Sequence, residues 1–250
     1  MKRLITLVFV LLLAVGCKNV TVMSYNIHAM RGMDKVLDAR RIADVILEQK
    51  PDLVGLQEVD HLTERSGEMD VISFFEDYCD MHVVYMKTFD YQGGAFGNMI
   101  LSRYPVIDKK MIRLPSRANY EPRLLMMVSV RTGRSDTLHF YNTHLDHHAN
   151  DSDRPAQMRK IVEIVSSDPE KLILLGDLNC QPGSEPLDIL DKVLSRCVSE
   201  DKTYPTDEPE RIIDHVYYTA DRGLECKDIN VIPEKVASDH RPVVARFRLR

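Results

Sequence analysis

KLILLGDLN (171–179) runs four apolar residues into Gly176 and then a bare carboxylate, Asp177, with Asn179 beside it. An apolar run of that length, bounded by turn residues, predicts a buried strand ending on an acid. Upstream lie a strand closing on Tyr141-Asn142-Thr143-His144, a helix over 154–167 and the turn Pro169-Glu170. The same order occurs earlier: a strand closes on Tyr25-Asn26-Ile27-His28, a helix covers 37–50, Pro51-Asp52 turns the chain, and a buried strand ends at Glu58. Tyrosine and acid are 33 residues apart in the first case and 36 in the second. Two related sheet-plus-helix halves are expected, their sheets face to face and their acids at a shared edge. The fold class is therefore α/β, a four-layer α/β/β/α sandwich with two facing mixed sheets.

Strands are predicted at 20–26, 53–58, 98–103, 124–130, 138–144, 171–177, 212–219 and 243–249. The two helices carry apolar stripes, Ala39, Ile42, Val45 and Ile46 in one and Met158, Ile161, Val162 and Val165 in the other. No Gly/Ser linker or proline tract divides 18–250, so one domain of 17–250 is expected after a leader of 1–16. That leader has a basic head, Lys2-Arg3, and an apolar run over 4–15, shorter than the roughly 20 residues that span a bilayer. It ends at Ala14-Val15-Gly16-Cys17, which resembles the lipobox of bacterial lipoproteins. A lipid anchor on Cys17 and an extracytoplasmic, membrane-tethered location, in the periplasm or at the cell surface, are expected. Removing 1–16 leaves 31 basic against 38 acidic residues, a net charge of −7. Nonspecific nucleic-acid binding rests on neutralising phosphates, which such a chain does not favour. The remaining cysteines, Cys79, Cys180, Cys197 and Cys226, have no C-x-x-C spacing and are expected as buried free thiols.

An acid at the end of an apolar strand must be hydrated, paired or metal-bound. Glu58, Asp177, Asp214 and Asp239, with Asn26, Asn179, His144 and His240, form such a set. Oxygen-rich ligands suit Mg²⁺, with Mn²⁺ or Ca²⁺ as alternatives, and these ions accompany phosphate chemistry. Taken singly, GDLN reads as an Asp/Asn turn and Glu58 as a solvated strand end. The consistent placement of every motif at a strand end favours the metal reading. Asp239 and His240 are adjacent, so a turn before Pro242 is needed to aim both inward.

MSYNIH (23–28), LQE (56–58), GNMILSRYP (97–105), NTHL (142–145), GDLN (176–179), IDHVYY (213–218) and SDHRPV (238–243) together resemble the endonuclease/exonuclease/phosphatase superfamily of magnesium-dependent enzymes. The resemblance implies that Asn26, Glu58 and Asp239 serve the metal. It implies that Asp177 orients or deprotonates the attacking water, that Asn179 contacts the phosphate, and that His240 binds the scissile group with Asp214 fixing its tautomer. His144 resembles the second histidine of the deoxyribonuclease and sphingomyelinase branch. Arg103 in SRYP is a family-pattern position expected to support substrate binding, and Arg65 is expected to meet a substrate phosphate or sugar. TERSGEMD (63–70) and the glycine loop 93–97 are similar to a bacterial branch close to a domain that acts in lipid remodelling of glycosylphosphatidylinositol anchors. The expected function is a monomeric, metal-dependent phosphodiesterase or phosphatase on a lipid or sugar-phosphate ester. The alternatives are an extracytoplasmic nuclease, for which Arg31, Lys35, Arg113, Arg117 and Arg123 would line a groove, and a catalytically dead binding lipoprotein.

Overall fold

The computed structural model describes residues 18–133, 136–149 and 152–250; the leader and Cys17 lie outside them. Twelve strands form two six-stranded sheets. The first contains β1 (Lys18–Asn26), β2 (Leu53–His61), β3 (His82–Tyr91), β4 (Gly94–Ser102), β11 (Leu224–Val231) and β12 (Val243–Leu249), in the order β11-β12-β1-β2-β4-β3. The second contains β5 (Val106–Arg113), β6 (Leu124–Arg131), β7 (Thr137–His144), β8 (Lys171–Asp177), β9 (Ser195–Arg196) and β10 (Asp214–Tyr218), in the order β5-β6-β7-β8-β10-β9. Helices α1 (Ala39–Gln49) and α2 (Val71–Cys79) cover the first sheet, and α3 (Arg154–Ser167) and α4 (Glu185–Leu190) cover the second.

Both sheets are mixed. The parallel pair in each is β1–β2 or β7–β8, joined across α1 or α3, and all other pairings are antiparallel. The expected four-layer sandwich is therefore present. Three apolar clusters fill it. One lies between the sheets around Val22, Leu53, Ile100, Phe140, Ile173 and Phe247. The other two lie between each sheet and its helices. α1 starts where Asp38 accepts the Arg41 N–H at 3.0 Å and stops at left-handed Lys50, just before Pro51. Its predicted stripe, Ala39, Ile42, Val45 and Ile46, is buried, as are Met158, Ile161 and Val165 of α3.

The four edge strands, β3, β5, β9 and β11, and the short helices α2 and α4 were not legible as elements. In β5 (VIDKKMIR) six of eight residues are exposed, so its charges mask the strand pattern. Cys79, Cys180 and Cys197 are buried free thiols, and Cys226 is partly buried beside Cys197. No helix among the described residues is long and apolar enough to cross a membrane.

Candidate functional site

Both parallel pairs deliver their ends to one rim. Asn26 ends β1, His144 ends β7 and Asp177 ends β8, while Asp214 begins β10 directly opposite Asp177. Glu58 needs a special device. Strand alternation would place it on the Leu56 side, under the helices. The register between β2 and β4 instead jumps from Leu56↔Met99 to Val59↔Gly97, so Gln57 and Glu58 face one residue of β4. This bulge carries Glu58 at φ 55° and turns its carboxylate to the rim. In GDLN, Gly176 at φ 147° lies tight against the Thr143 backbone, and the space a Cβ would need is taken. The 238–242 segment forms the required turn: Ser238 Oγ donates to the Asn26 carbonyl at 2.7 Å and accepts the His240 N–H at 3.3 Å.

Asp177 is the centre. Its Oδ2 faces three groups from different parts of the chain: Asn26 Nδ2 at 3.1 Å, His144 Nε2 at 3.5 Å and His240 Nε2 at 3.6 Å. Its Oδ1 accepts the Asn179 N–H at 2.9 Å. Burial raises this carboxyl to about 7; Asp214 adds to the rise, while the charge of His240 and the two hydrogen bonds oppose it. His240 Nδ1 donates to Asp214 Oδ2 at 3.0 Å, which leaves Nε2 facing the cleft. Burial alone would depress this imidazole, but the carboxylates of Asp214 and Asp177 outweigh it and raise the ring to about 10. His144 goes the other way: burial, then the Arg123 charge, push it well below 6.5. Arg123 donates toward its Nδ1 at 3.3 Å, so neutral His144 carries its proton on Nε2, aimed at Asp177.

The residues present fit a hard divalent cation. Four carboxylates, Glu58, Asp177, Asp214 and Asp239, gather at the rim. His240 is the cation directed at them, while Arg123 is committed to His144, His147 and Glu121. Asp214 Oδ1 is buried with no hydrogen-bond partner. Excess buried negative charge of this kind calls for a cation. Glu58 and Asp239 offer oxygens open to the cleft. Asn26 differs from expectation: its oxygen accepts the His28 N–H at 3.1 Å, so its nitrogen faces Glu58 Oε1 at 2.9 Å and Asp177. An amide nitrogen is no ligand for a hard ion, and in this orientation Asn26 donates to both acids.

A cleft of about 390 Å³ opens over this group, and Asn179, His144 and Arg65 also line it. Arg65 is fixed by Asp60, Nε to Oδ2 at 2.5 Å and Nη2 to Oδ1 at 2.9 Å, and stacks 4.5 Å from the Tyr91 ring. Arg103 is not brought here. It follows β4 at the end paired with Leu53, the far end of β2 from Glu58, and its Nε donates to the Pro51 carbonyl at 3.0 Å. The expected substrate contact is therefore replaced by a structural one, and SRYP closes the opposite edge of the sheet. Sequence reasoning missed Tyr204, whose ring lies 4.7 Å from both His240 and the Arg211 guanidinium, and Phe89 and Phe96 of the aromatic wall. Arg123 was legible only as a possible groove cation; its isolation between Pro122 and an apolar run is the signal that marks it as buried. His147 also lines the cleft, its Nδ1 3.1 Å from Arg123 Nη2. His215 is buried and its ring faces the Cys180 carbonyl at 2.8 Å, so it is structural.

Two mixed sheets that face each other thus pool acids and histidines at one rim of an α/β sandwich. The chain belongs to the Endonuclease/Exonuclease/phosphatase family, whose profile matches residues 23–240. Among solved structures it is similar to an endonuclease/exonuclease/phosphatase from Beutenbergia cavernae, with 23% identity, 92% of this chain and 72% of that one covered, and a TM-score of 0.72. It is also similar to a mannosyl-6-phosphatase of Bacteroides thetaiotaomicron (18% identity, 91% and 99% covered, TM-score 0.70) and to the human Nocturnin catalytic domain (19%, 93% and 95%, 0.74). These likenesses show the shared fold. No curated protein matches the chain.

Proposed function

We propose that this protein is a divalent-cation-dependent hydrolase of phosphoric esters, a phosphodiesterase or phosphatase on a lipid or sugar-phosphate substrate, tethered to a membrane through Cys17. The observation that carries the reading is the convergence of Asn26, His144 and His240 on one buried oxygen of Asp177. Glu58 and Asp239 would hold the cation, and Mg²⁺ suits these ligands. When bound, the cation supplies charge stabilisation at a phosphoryl oxygen.

The rest is done by side chains. Asp177, with a carboxyl near neutrality, orients the attacking water and takes its proton. His240, protonated and braced by Asp214, donates from Nε2 to the phosphate as charge builds in the transition state. Neutral His144 offers a second N–H on the same face. Asn179, whose Nδ2 donates to the Leu145 carbonyl at 3.1 Å, has its other amide hydrogen for a phosphate oxygen. Water enters in line with the leaving alcohol. One structural neighbour is a mannosyl-6-phosphatase, which is consistent with this chemistry.

The test is a hydrolysis screen of the full chain in mild detergent with Mg²⁺ and with EDTA. It uses bis-4-nitrophenyl phosphate, mannose 6-phosphate, sphingomyelin, a phosphoinositide and plasmid DNA. Mg²⁺-dependent product from a lipid or sugar ester with plasmid left intact is expected. Cleavage of plasmid alone would replace this reading with the nuclease one.

A further inference from the structure

Beside the catalytic cleft, sharing Arg65 with it, lies a recess of about 230 Å³ lined by His28, Ala29, Arg31, Lys35, Leu37 and Arg65. Its lining contains four nitrogen bases and no acid. The loop that builds it is held in place. His28, Ala29 and Met30 are consecutive left-handed residues, and Lys35 is another at φ 66°. Backbone bonds from Gly32 to Val36, Lys35 to Gly32, Met33 to Val236 and Asp38 to Met30 pin the turn. Strain concentrated next to a candidate site and fixed by surrounding bonds points to a functional shape.

The charges in the recess are also set. The acids of the turn are engaged elsewhere: Asp34 with Arg41 at 2.9 Å and the Val36 N–H at 3.0 Å, and Asp38 with the Arg41 N–H at 3.0 Å. Arg31 and Lys35 are exposed and form no side-chain ion pair among the described residues. Arg65 spends Nε and Nη2 on buried Asp60, and its third nitrogen remains for a ligand. His28 stands at the border with the rim, Nδ1 3.8 Å from Asp239 Oδ1. A local cationic pocket on a chain of net charge −5 is a recognition feature rather than general attraction for polyanions. Two other basic residues that could extend a nucleic-acid track are engaged elsewhere: Arg113 Nη1 donates to the Thr88 carbonyl, and Arg117 pairs with Asp153 at 3.0 Å.

We infer that His28, Arg31, Lys35 and Arg65 form a second anion subsite, so that the ester cleaved at the rim carries a further phosphate on a compact headgroup. Arg and Lys recognise phosphate by charge-assisted hydrogen bonds. This inference rests on the hydrolase reading above and narrows its substrate class to two-phosphate esters.

The test compares glycerophospho-myo-inositol with its 4-phosphate, using the full chain, Mg²⁺ and the Arg31→Ala/Lys35→Ala double variant. Wild type should favour the 4-phosphate by about tenfold or more in kcat/KM, mainly through KM, and the double variant should reduce that ratio to near one. A parallel arm presents phosphatidylinositol and its 4-phosphate in phosphatidylcholine vesicles. Preference there alone assigns the second phosphate to a lipid, and in the soluble arm alone to a free metabolite. A ratio that the double variant leaves unchanged overturns the subsite while the hydrolase reading stands. Hydrolysis of single-stranded DNA with the same dependence on Arg31 and Lys35 overturns it in favour of a nucleic-acid groove. Independently of turnover, calorimetry with myo-inositol 1,4-bisphosphate on the Asp177→Asn chain should show binding that the added double substitution weakens about tenfold. Equal binding by the two forms sinks the subsite even if no substrate in the first assay is hydrolysed.

Discussion

The two halves begin from the same letters and end in different work. In the first, Asn26 follows Tyr25 and turns its amide into the rim, onto Glu58 and Asp177. In the second, Asn142 follows Tyr141 but points between the sheets. It donates to the Leu56 and Met99 carbonyls at 2.8 and 3.0 Å and accepts Gln57 Nε2 at 2.7 Å. Gly55 leaves the room this staple needs, since a Cβ there would lie 2.9 Å from Asn142 Cγ. The acids diverge too. Asp177 arrives at the end of a regular strand, whereas Glu58 arrives through a bulge. A repeated motif thus supplies one asparagine to the chemistry and one to the docking of the sheets.

Substitutions can break that contrast. The largest effect is expected at the centre: His240→Ala and Asp177→Asn should each lower kcat by about 10³-fold, with circular dichroism unchanged. A loss under tenfold in both would overturn their assigned roles. Next, Glu58→Gln should raise the Mg²⁺ concentration for half-maximal activity by roughly 10–100-fold, read from a metal titration. The asparagines should then separate. Asn142→Ala removes the side-chain donor to two buried carbonyls and the shortest acceptor of the Gln57 amide, and should cost about 2–4 kcal/mol in urea unfolding. Asn26→Ala should mostly affect turnover, so equal stability losses would erase the distinction.

The smallest effect concerns pH. Burial depresses His215, with the Cys180 carbonyl opposing, so its folded pKa lies below its unfolded one. Its stability contribution is present above about 6.5 and is lost as pH falls through that value, because the unfolded chain binds the extra proton. His215→Asn should therefore lose less melting temperature between pH 7.5 and 5.5 than wild type does. An identical loss in both would show that His215 is not a source of acid sensitivity.

What was readable follows from burial. Central strands such as β1, β8 and β12 are apolar runs because both faces are covered, and acids stand out where those runs stop. Edge strands β3, β5 and β11 carry polar residues on open faces and resemble loops. The site acids could be found because they interrupt hydrophobic segments. Tyr204 could not, because only folding brings an aromatic on one loop beside a histidine on another. Arg103 misled for a related reason: a motif indicates that a strand ends, but not at which rim.

Glu58 and Asp239 belong to the first sheet and its loops, while Asp177, Asp214 and His144 belong to the second. The His240–Asp214 and Asn26–Asp177 bonds both cross the seam. A small sliding of one layer over the other would thus displace His240 from Asp214 and Asn26 from Asp177 together.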